Sequence, residues 1–174
     1  QLACGTFAPD QFEAKFLIDA AQLPQGQRLA MQGKIDRIDI CEDEENVYVK
    51  IIDYKSGKSD FNLLNTYYGL KIQLIMYMKA AMELEQKRHS GKNVIPAGIL
   101  YYNMSDPIVE LSTGEAADED TVLYHIREEL RMKGVINENK NILKKLDDTD
   151  SVSLAVPLAY KKSGDVDERK SRVM

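Results

Sequence analysis

Two segments rich in β-branched residues, 31–40 and 46–55, flank a short acidic turn, Glu42-Asp43-Glu44-Glu45-Asn46. Such a pair folds most simply as an antiparallel hairpin. Closing it on that turn sets Ile38 opposite Ile51, Ile40 opposite Val49 and Asp36 opposite Asp53. On the other face the same register sets Asp39 against Lys50, an opposite-charge pair that favours this alignment. The pairing constrains the rest of the chain, because it puts two carboxylates on the face that Ile38, Ile40, Val49 and Ile51 claim for a core.

Like charges directly opposite one another repel, more so where water is partly excluded. Lys55, two residues beyond Asp53, shares their face by alternation. A divalent cation would complete the neutralisation. Two carboxylates and a backbone carbonyl make a hard oxygen set suited to Mg²⁺ or Mn²⁺. A metal held in this way clamps a phosphate and activates water, while a neighbouring lysine orients or deprotonates that water and stabilises the charge that develops. On spacing alone, the same acid-x-Lys triplet reads more simply as a structural ion pair at a sheet edge.

The remaining segments suggest an α/β chain. Residues 1–27 read as irregular, with one apolar stretch, Phe16-Leu17-Ile18. Residues 65–88 read as one long helix, with Leu70, Leu74, Tyr77, Ala81 and Leu84 recurring at steps of three and four, ended by Ser90-Gly91-Lys92-Asn93. Residues 95–104 form a nearly all-apolar strand suited to mid-sheet, stopped at Asp106-Pro107. A second helix is expected over 118–132 and a late strand or strand fragment over 153–157. The order β-β-α-β-α-β predicts a mixed sheet with helices packed on it.

The 174 residues suffice for one domain with a real core, about 12–157. A first residue Gln1 and a tail over 165–174 that reads as a cut end suggest a piece of a larger protein. No apolar run approaches the roughly 20 residues needed to span a bilayer. Two cysteines, Cys4 and Cys41, give neither a disulfide framework nor a metal knuckle, which fits a reducing, cytoplasmic setting. The net charge of −5 argues against gripping nucleic acid by electrostatics alone. A metal ion or a partner subunit would have to supply positive charge.

Three stretches carry a resemblance: Gly33-Lys34-Ile35-Asp36-Arg37-Ile38-Asp39, Ile51-Ile52-Asp53-Tyr54-Lys55-Ser56-Gly57, and Tyr68-Gly69-Leu70-Lys71-Ile72-Gln73-Leu74-Ile75-Met76-Tyr77. In this order and spacing they resemble the RecB-type nuclease domain of the PD-(D/E)xK superfamily. Pro96-Ala97-Gly98-Ile99-Leu100-Tyr101-Tyr102 and Met132-Lys133-Gly134 further resemble the C-terminal nuclease domain of the AddB or RexB component of bacterial ATP-dependent helicase–nucleases, the AddAB or RexAB type. The resemblance implies a restriction-endonuclease-like core, a central mixed β-sheet flanked by α-helices. It implies Asp36, Asp53 and the Tyr54 carbonyl as ligands of Mg²⁺ or Mn²⁺, and Lys55 as the catalytic lysine. Gln73 and Tyr77 match the family's Q-x-x-x-Y motif, and their spacing does put both on one helical face. The implied activity is exonucleolytic cleavage of DNA, a single strand from an unwound end, in double-strand break repair by recombination. The implied partner is the helicase-bearing A subunit of the same complex, in the bacterial cytoplasm.

Several features depart from that family. Its upstream metal-ligating histidine has no counterpart, since His89 and His125 lie downstream and read as surface or helix residues. The family's iron–sulfur cluster is not expected here: the C-terminal cysteine trio is missing, Cys4 lies too close to the core, and Cys41 reads as a buried apolar-like residue. No Gly-rich phosphate loop followed by Lys-Ser or Lys-Thr occurs, so an ATP-driven motor is not read in this chain. Lys140, Lys144 and Lys145 read as a solvated charged segment, and Lys58 as a weak candidate for a phosphate contact. Tyr67 and Tyr68 could stack on unpaired bases, although packing is the simpler use for at least one of them. Two other readings compete: a nuclease-like scaffold or DNA-guiding module without activity, and a Cas4-like nuclease. The intact Asp36, Asp53, Lys55 and Gln73 disfavour the first, and the missing cysteines and the 96–102 segment the second.

Overall fold

The structure, a computed structural model, describes residues 5–22, 24–57, 59–104, 106–108 and 118–174. Five strands, β1 (Ala8–Gln22), β2 (Arg28–Glu42), β3 (Asn46–Lys55), β4 (Asn93–Asn103) and β5 (Lys133–Ile136), form one sheet in the order β1-β2-β3-β4-β5. Only the β3–β4 pair is parallel. The crossover between them carries two helices, α1 (Leu63–Tyr67) and α2 (Gln73–Arg88). Two more, α3 (Glu119–Glu129) and α4 (Lys140–Leu146), flank β5 in the chain. This is the mixed sheet with flanking helices of a restriction-endonuclease-like α/β fold.

Burial explains the layering. One core lies under α2, where Leu74, Met78 and Ala81 meet Ile38, Val49, Ile51 and Ile99. A second covers the opposite face, where Ile142, Leu143 and Leu146 of α4 and the 155–158 segment meet Tyr48, Ile52 and Leu100. β3 is buried on both faces along most of its length, as a central strand with a parallel neighbour must be. The expected hairpin register holds, with Ile38 opposite Ile51, Asp39 opposite Lys50 and Ile40 opposite Val49. Regular pairing stops at Arg37 and Ile52, so Asp36 and Asp53 lie just beyond the last rung instead of facing one another within it.

The two strands β1 and β2 change phase at that level. Ile35 and Ile38, three residues apart, both enter the core beneath α2. Across from them, Ala14 enters that core while Phe12, two residues earlier, lies against Arg37 on the opposite face. Both strands therefore lose one step of alternation together, at Asp36 and at Glu13, whose φ of 51° is the one positive value among the described non-glycine residues.

Three expectations are corrected. Residues 1–27 are not irregular throughout, since β1 runs antiparallel along β2. Its alternation, with Ala14, Phe16 and Ile18 buried, is disguised by an exposed Leu17 and by polar residues near its start. The single helix expected over 65–88 is two. Gly69 takes a left-handed φ of 76°, and the Tyr68 and Gly69 N–H groups close onto Leu64 and Thr66, ending α1. No strand spans 153–157. The segment is flanked by an isolated bridge between Val152 and Ala159, and the edge strand is β5 instead. The segments around 140–145 and 165–174 also pack on the core, with Lys140 and Lys144 exposed as a solvated charged segment would have them. Lys140, Lys144 and Lys145 belong to α4, and Val173 bridges Ile136 while Arg172 N–H donates to the Pro157 carbonyl. Cys4 and Lys58 lie outside the described residues.

Candidate active site

Asp53 and Lys55 occupy the C-terminal end of β3, on the face toward α2. The Asp53 carboxylate is buried, and its Oδ2 lies 2.5 Å from Lys55 Nζ. That charge-assisted contact with Lys55 is the pairing of the buried Oδ2 among the described residues. Burial pushes the Asp53 carboxyl above the usual carboxylate range; Lys55 opposes the shift and the charge of Asp36 adds to it. For Lys55, burial disfavours the ammonium, but contact with Asp53 and the charges of Asp53, Tyr101 and Asp36 outweigh it, so the amine is raised.

Asp36 reaches the same place through the backbone. Its Oδ2 accepts a hydrogen bond from the Tyr54 N–H at 2.9 Å. The Tyr54 ring turns to the reverse face, edge-on to Tyr102, with its hydroxyl 3.4 Å from Arg37 Nη1. Only the main chain of Tyr54 is therefore available to the α2 face. The start of α2 supplies the remaining wall. Lys55 Nζ donates to Gln73 Oε1 at 3.3 Å, and Gln73 Nε2 donates to the Tyr77 hydroxyl oxygen at 2.7 Å. Asp53, Lys55, Gln73 and Tyr77 thus form one connected series, while Asp36 joins through Tyr54.

A cleft of about 460 Å³ opens beside this series, lined by Phe16, Gly33, Lys55, Gln73, Tyr77 and Tyr101 and by the loop residues Leu70, Lys71 and Ile72. Three of these were not singled out in the sequence. Tyr101 pairs with Asp53 across the parallel β3–β4 rungs and lies 5.6 Å beneath Lys55 Nζ. Phe16 meets Tyr77 edge-on at 5.7 Å. Gly33 lies under Phe16, so close that a Cβ there would stand 2.8 Å from the ring. Tyr101 stood only within the 96–102 motif until the β3–β4 register set it beside Asp53. The glycine was visible only as part of a motif.

The donor chemistry fits a hard divalent cation. Among the described residues no three His, Cys, Asp or Glu side chains cluster, so a cation here would use two carboxylates and main-chain oxygen. The buried Asp53 carboxylate, close to the second carboxylate of Asp36 and paired with the single cation Lys55, is the observation that favours it, since two carboxylates beside one ammonium leave negative charge to neutralise. The histidines take other places. His89 caps α2 between Glu85 and Glu42, and His125 lies on α3. Cys41 is buried, with Thr6 Oγ1 at 3.1 Å, and Lys145 lies against Asp43 and the Tyr48 ring. On the reverse face Arg37 and Lys50 both pair with buried Asp39, a structural network apart from the cleft.

Residues 1–150 match the family model described as the PD-(D/E)XK nuclease superfamily. The chain is also similar to curated proteins named as the B subunit of an ATP-dependent helicase/deoxyribonuclease. It is 36% identical to that of Lachnoclostridium phytofermentans over 98% of its length. For Clostridium tetani the identity is 38% over 84% of the chain, and for Clostridioides difficile 35% over 99%. The chain spans only 15%, 13% and 16% of the lengths of these three relatives. With the mixed sheet, the end of β3 and the start of α2 arranged as described, the chain belongs to the PD-(D/E)XK nuclease superfamily.

Proposed function

We propose that residues 1–174 are one metal-dependent DNA nuclease domain of a bacterial ATP-dependent helicase–nuclease, acting exonucleolytically on a strand unwound from a broken end. The observation that carries this reading is the buried Asp53 carboxylate, paired with Lys55 and close enough to Asp36 to feel its charge. Asp53, Asp36 and the Tyr54 carbonyl would hold Mg²⁺ or Mn²⁺. When bound, such a cation neutralises phosphate charge and acidifies the attacking water. Lys55, held charged between Asp53 and Gln73, orients that water and stabilises negative charge as the phosphorus–oxygen bond breaks. Gln73 fixes the Lys55 ammonium, and Tyr77 fixes Gln73. The names of the similar proteins support DNA as substrate and a helicase as partner. On this reading the domain works in double-strand break repair in the cytoplasm.

The test is cleavage of linear single-stranded DNA in Mg²⁺ or Mn²⁺ by the parent chain, Asp53→Ala and Lys55→Ala. Cleavage by the parent alone supports the reading. Equal cleavage by all three sinks it, and cleavage by none favours a scaffold without activity.

A further inference from the structure

The loop between α1 and α2 exposes an unusual amount of apolar surface. Tyr67 is 82% exposed and Tyr68 67%, and Leu64, Leu70 and Ile72 are exposed beside them. The expectation that at least one tyrosine packs in the core is therefore not met. Their rings touch each other edge-on at 5.4 Å, nearly perpendicular, which leaves ring surface open to solvent. Six exposed apolar or aromatic side chains on a ten-residue segment disfavour a purely solvated loop (counting Leu63, Leu64, Tyr67, Tyr68, Leu70 and Ile72).

The segment is also held in shape. Asn62 caps α1, Leu70 N–H donates to Asn65 O, and Thr66 Oγ1 donates to the Asn62 and Lys71 carbonyls. The rings consequently sit on a preorganised backbone. The same segment lines the cleft, through Leu70, Lys71 and Ile72, together with Lys55 and Tyr101. Aromatic faces displayed next to a lysine, on a segment that runs into the cleft lined by Lys55 and Gln73, match the chemistry of an unpaired nucleic-acid strand: stacking surfaces for bases and a cation for the backbone. A duplex offers no free base faces, so the platform discriminates against it.

We propose that Tyr67 and Tyr68 form a base-stacking platform that receives the single strand at the mouth of the cleft, with Lys71 contacting its backbone. This inference rests on the nuclease reading for its substrate, but its test is separate. Binding of a fluorescent single-stranded oligonucleotide to the full 174-residue chain is measured by anisotropy without divalent metal, so that cleavage does not interfere. Beside the parent stand Tyr67→Ala, Tyr68→Ala, the double variant, Tyr67→Phe and Tyr68→Phe. Loss of each ring weakens binding about tenfold, from the typical worth of base–aromatic stacking. The Phe variants keep the parent's affinity, and an abasic oligonucleotide binds parent and Ala variants alike. Unchanged affinity in the double variant overturns the proposal and assigns the patch to a protein partner. Equal losses on base-bearing and abasic strands also overturn it, because stacking is then not the interaction. Absence of cleavage with base-dependent binding retained would remove the nuclease reading alone; Lys55-dependent cleavage with no effect of the tyrosines would remove this inference alone.

Discussion

Lys55 Nζ donates to Gln73 Oε1 at 3.3 Å, tying the last residue of β3 to the first residue of α2. Gln73 therefore aims the ammonium, and Tyr77 aims Gln73. Gln73→Ala should lower kcat on the order of tenfold to a hundredfold through misplacement of Lys55. Tyr77→Phe removes only the oxygen that orients the amide and should cost less. Steady-state kinetics on single-stranded DNA check the order of the two effects.

If Asp53 holds a cation, metal should stabilise the fold. Mg²⁺ or Mn²⁺ is expected to raise the parent's melting temperature, through a stabilisation of about 2.7 kcal/mol at a hundred times Kd. Asp53→Asn removes that response. Without metal this variant should melt at or above the parent, because it relieves a buried carboxylate whose ionised form burial disfavours. Differential scanning fluorimetry with and without metal separates the two effects.

Gly33 is needed where it stands because a Cβ would meet the Phe16 ring at 2.8 and 2.9 Å. Gly33→Ala should destabilise by about 1–3 kcal/mol as the buried ring is displaced. Adding Phe16→Leu should cost less than the sum of the two single changes, because the clash is shared. Urea unfolding of both single variants and the double variant measures that coupling.

Gly134 in β5 has a φ of 156°, and a Cβ there would stand 2.1 Å from the Ile99 carbonyl oxygen. Neither neighbour is a flexible side chain, since both nearby groups belong to the backbone of β4. Gly134→Ala should cost about 2–4 kcal/mol and loosen the β4–β5 edge. Chemical denaturation gives the magnitude, and amide exchange at Leu100 and Val135 gives the location.

Acid should weaken the tie between β1 and α2. The hydrogen bond from Arg88 holds the Asp10 carboxyl below its ordinary range, against some burial. A carboxyl whose folded value is depressed contributes stability above the unfolded value of about 4 and loses it as pH falls through the lower folded value. The parent should therefore lose stability below about pH 4 more steeply than Asp10→Asn. Thermal melts between neutral pH and the acid limb would show the difference, or its absence would refute this account.

Much of this site was legible because its parts lie close in sequence. Asp39 against Lys50 pinned the hairpin register, and the structure pairs them at 3.0 Å. Gln73 and Tyr77 were legible from helical spacing, and they do hydrogen-bond. The break at Gly69 was not, since apolar spacing runs straight through it and one glycine costs a helix only about 1 kcal/mol. β1 was hidden because Leu17 is apolar yet exposed. Tyr101 depends on a parallel pairing between strands separated by two helices, which no local pattern encodes.

The joint phase change at Glu13 and Asp36 links distant side chains like meshed gears. Straightening the backbone at Glu13 alone, with no change of length, would turn the arm beyond it over. Ala14, Phe16 and Ile18 would swing out to water and Lys15, Leu17 and Asp19 would swing inward. The Phe16 prop behind Tyr77 would go with them. Backbone conformation at Glu13 is thus under tighter constraint than its side chain, although no atom of Glu13 need approach the cleft.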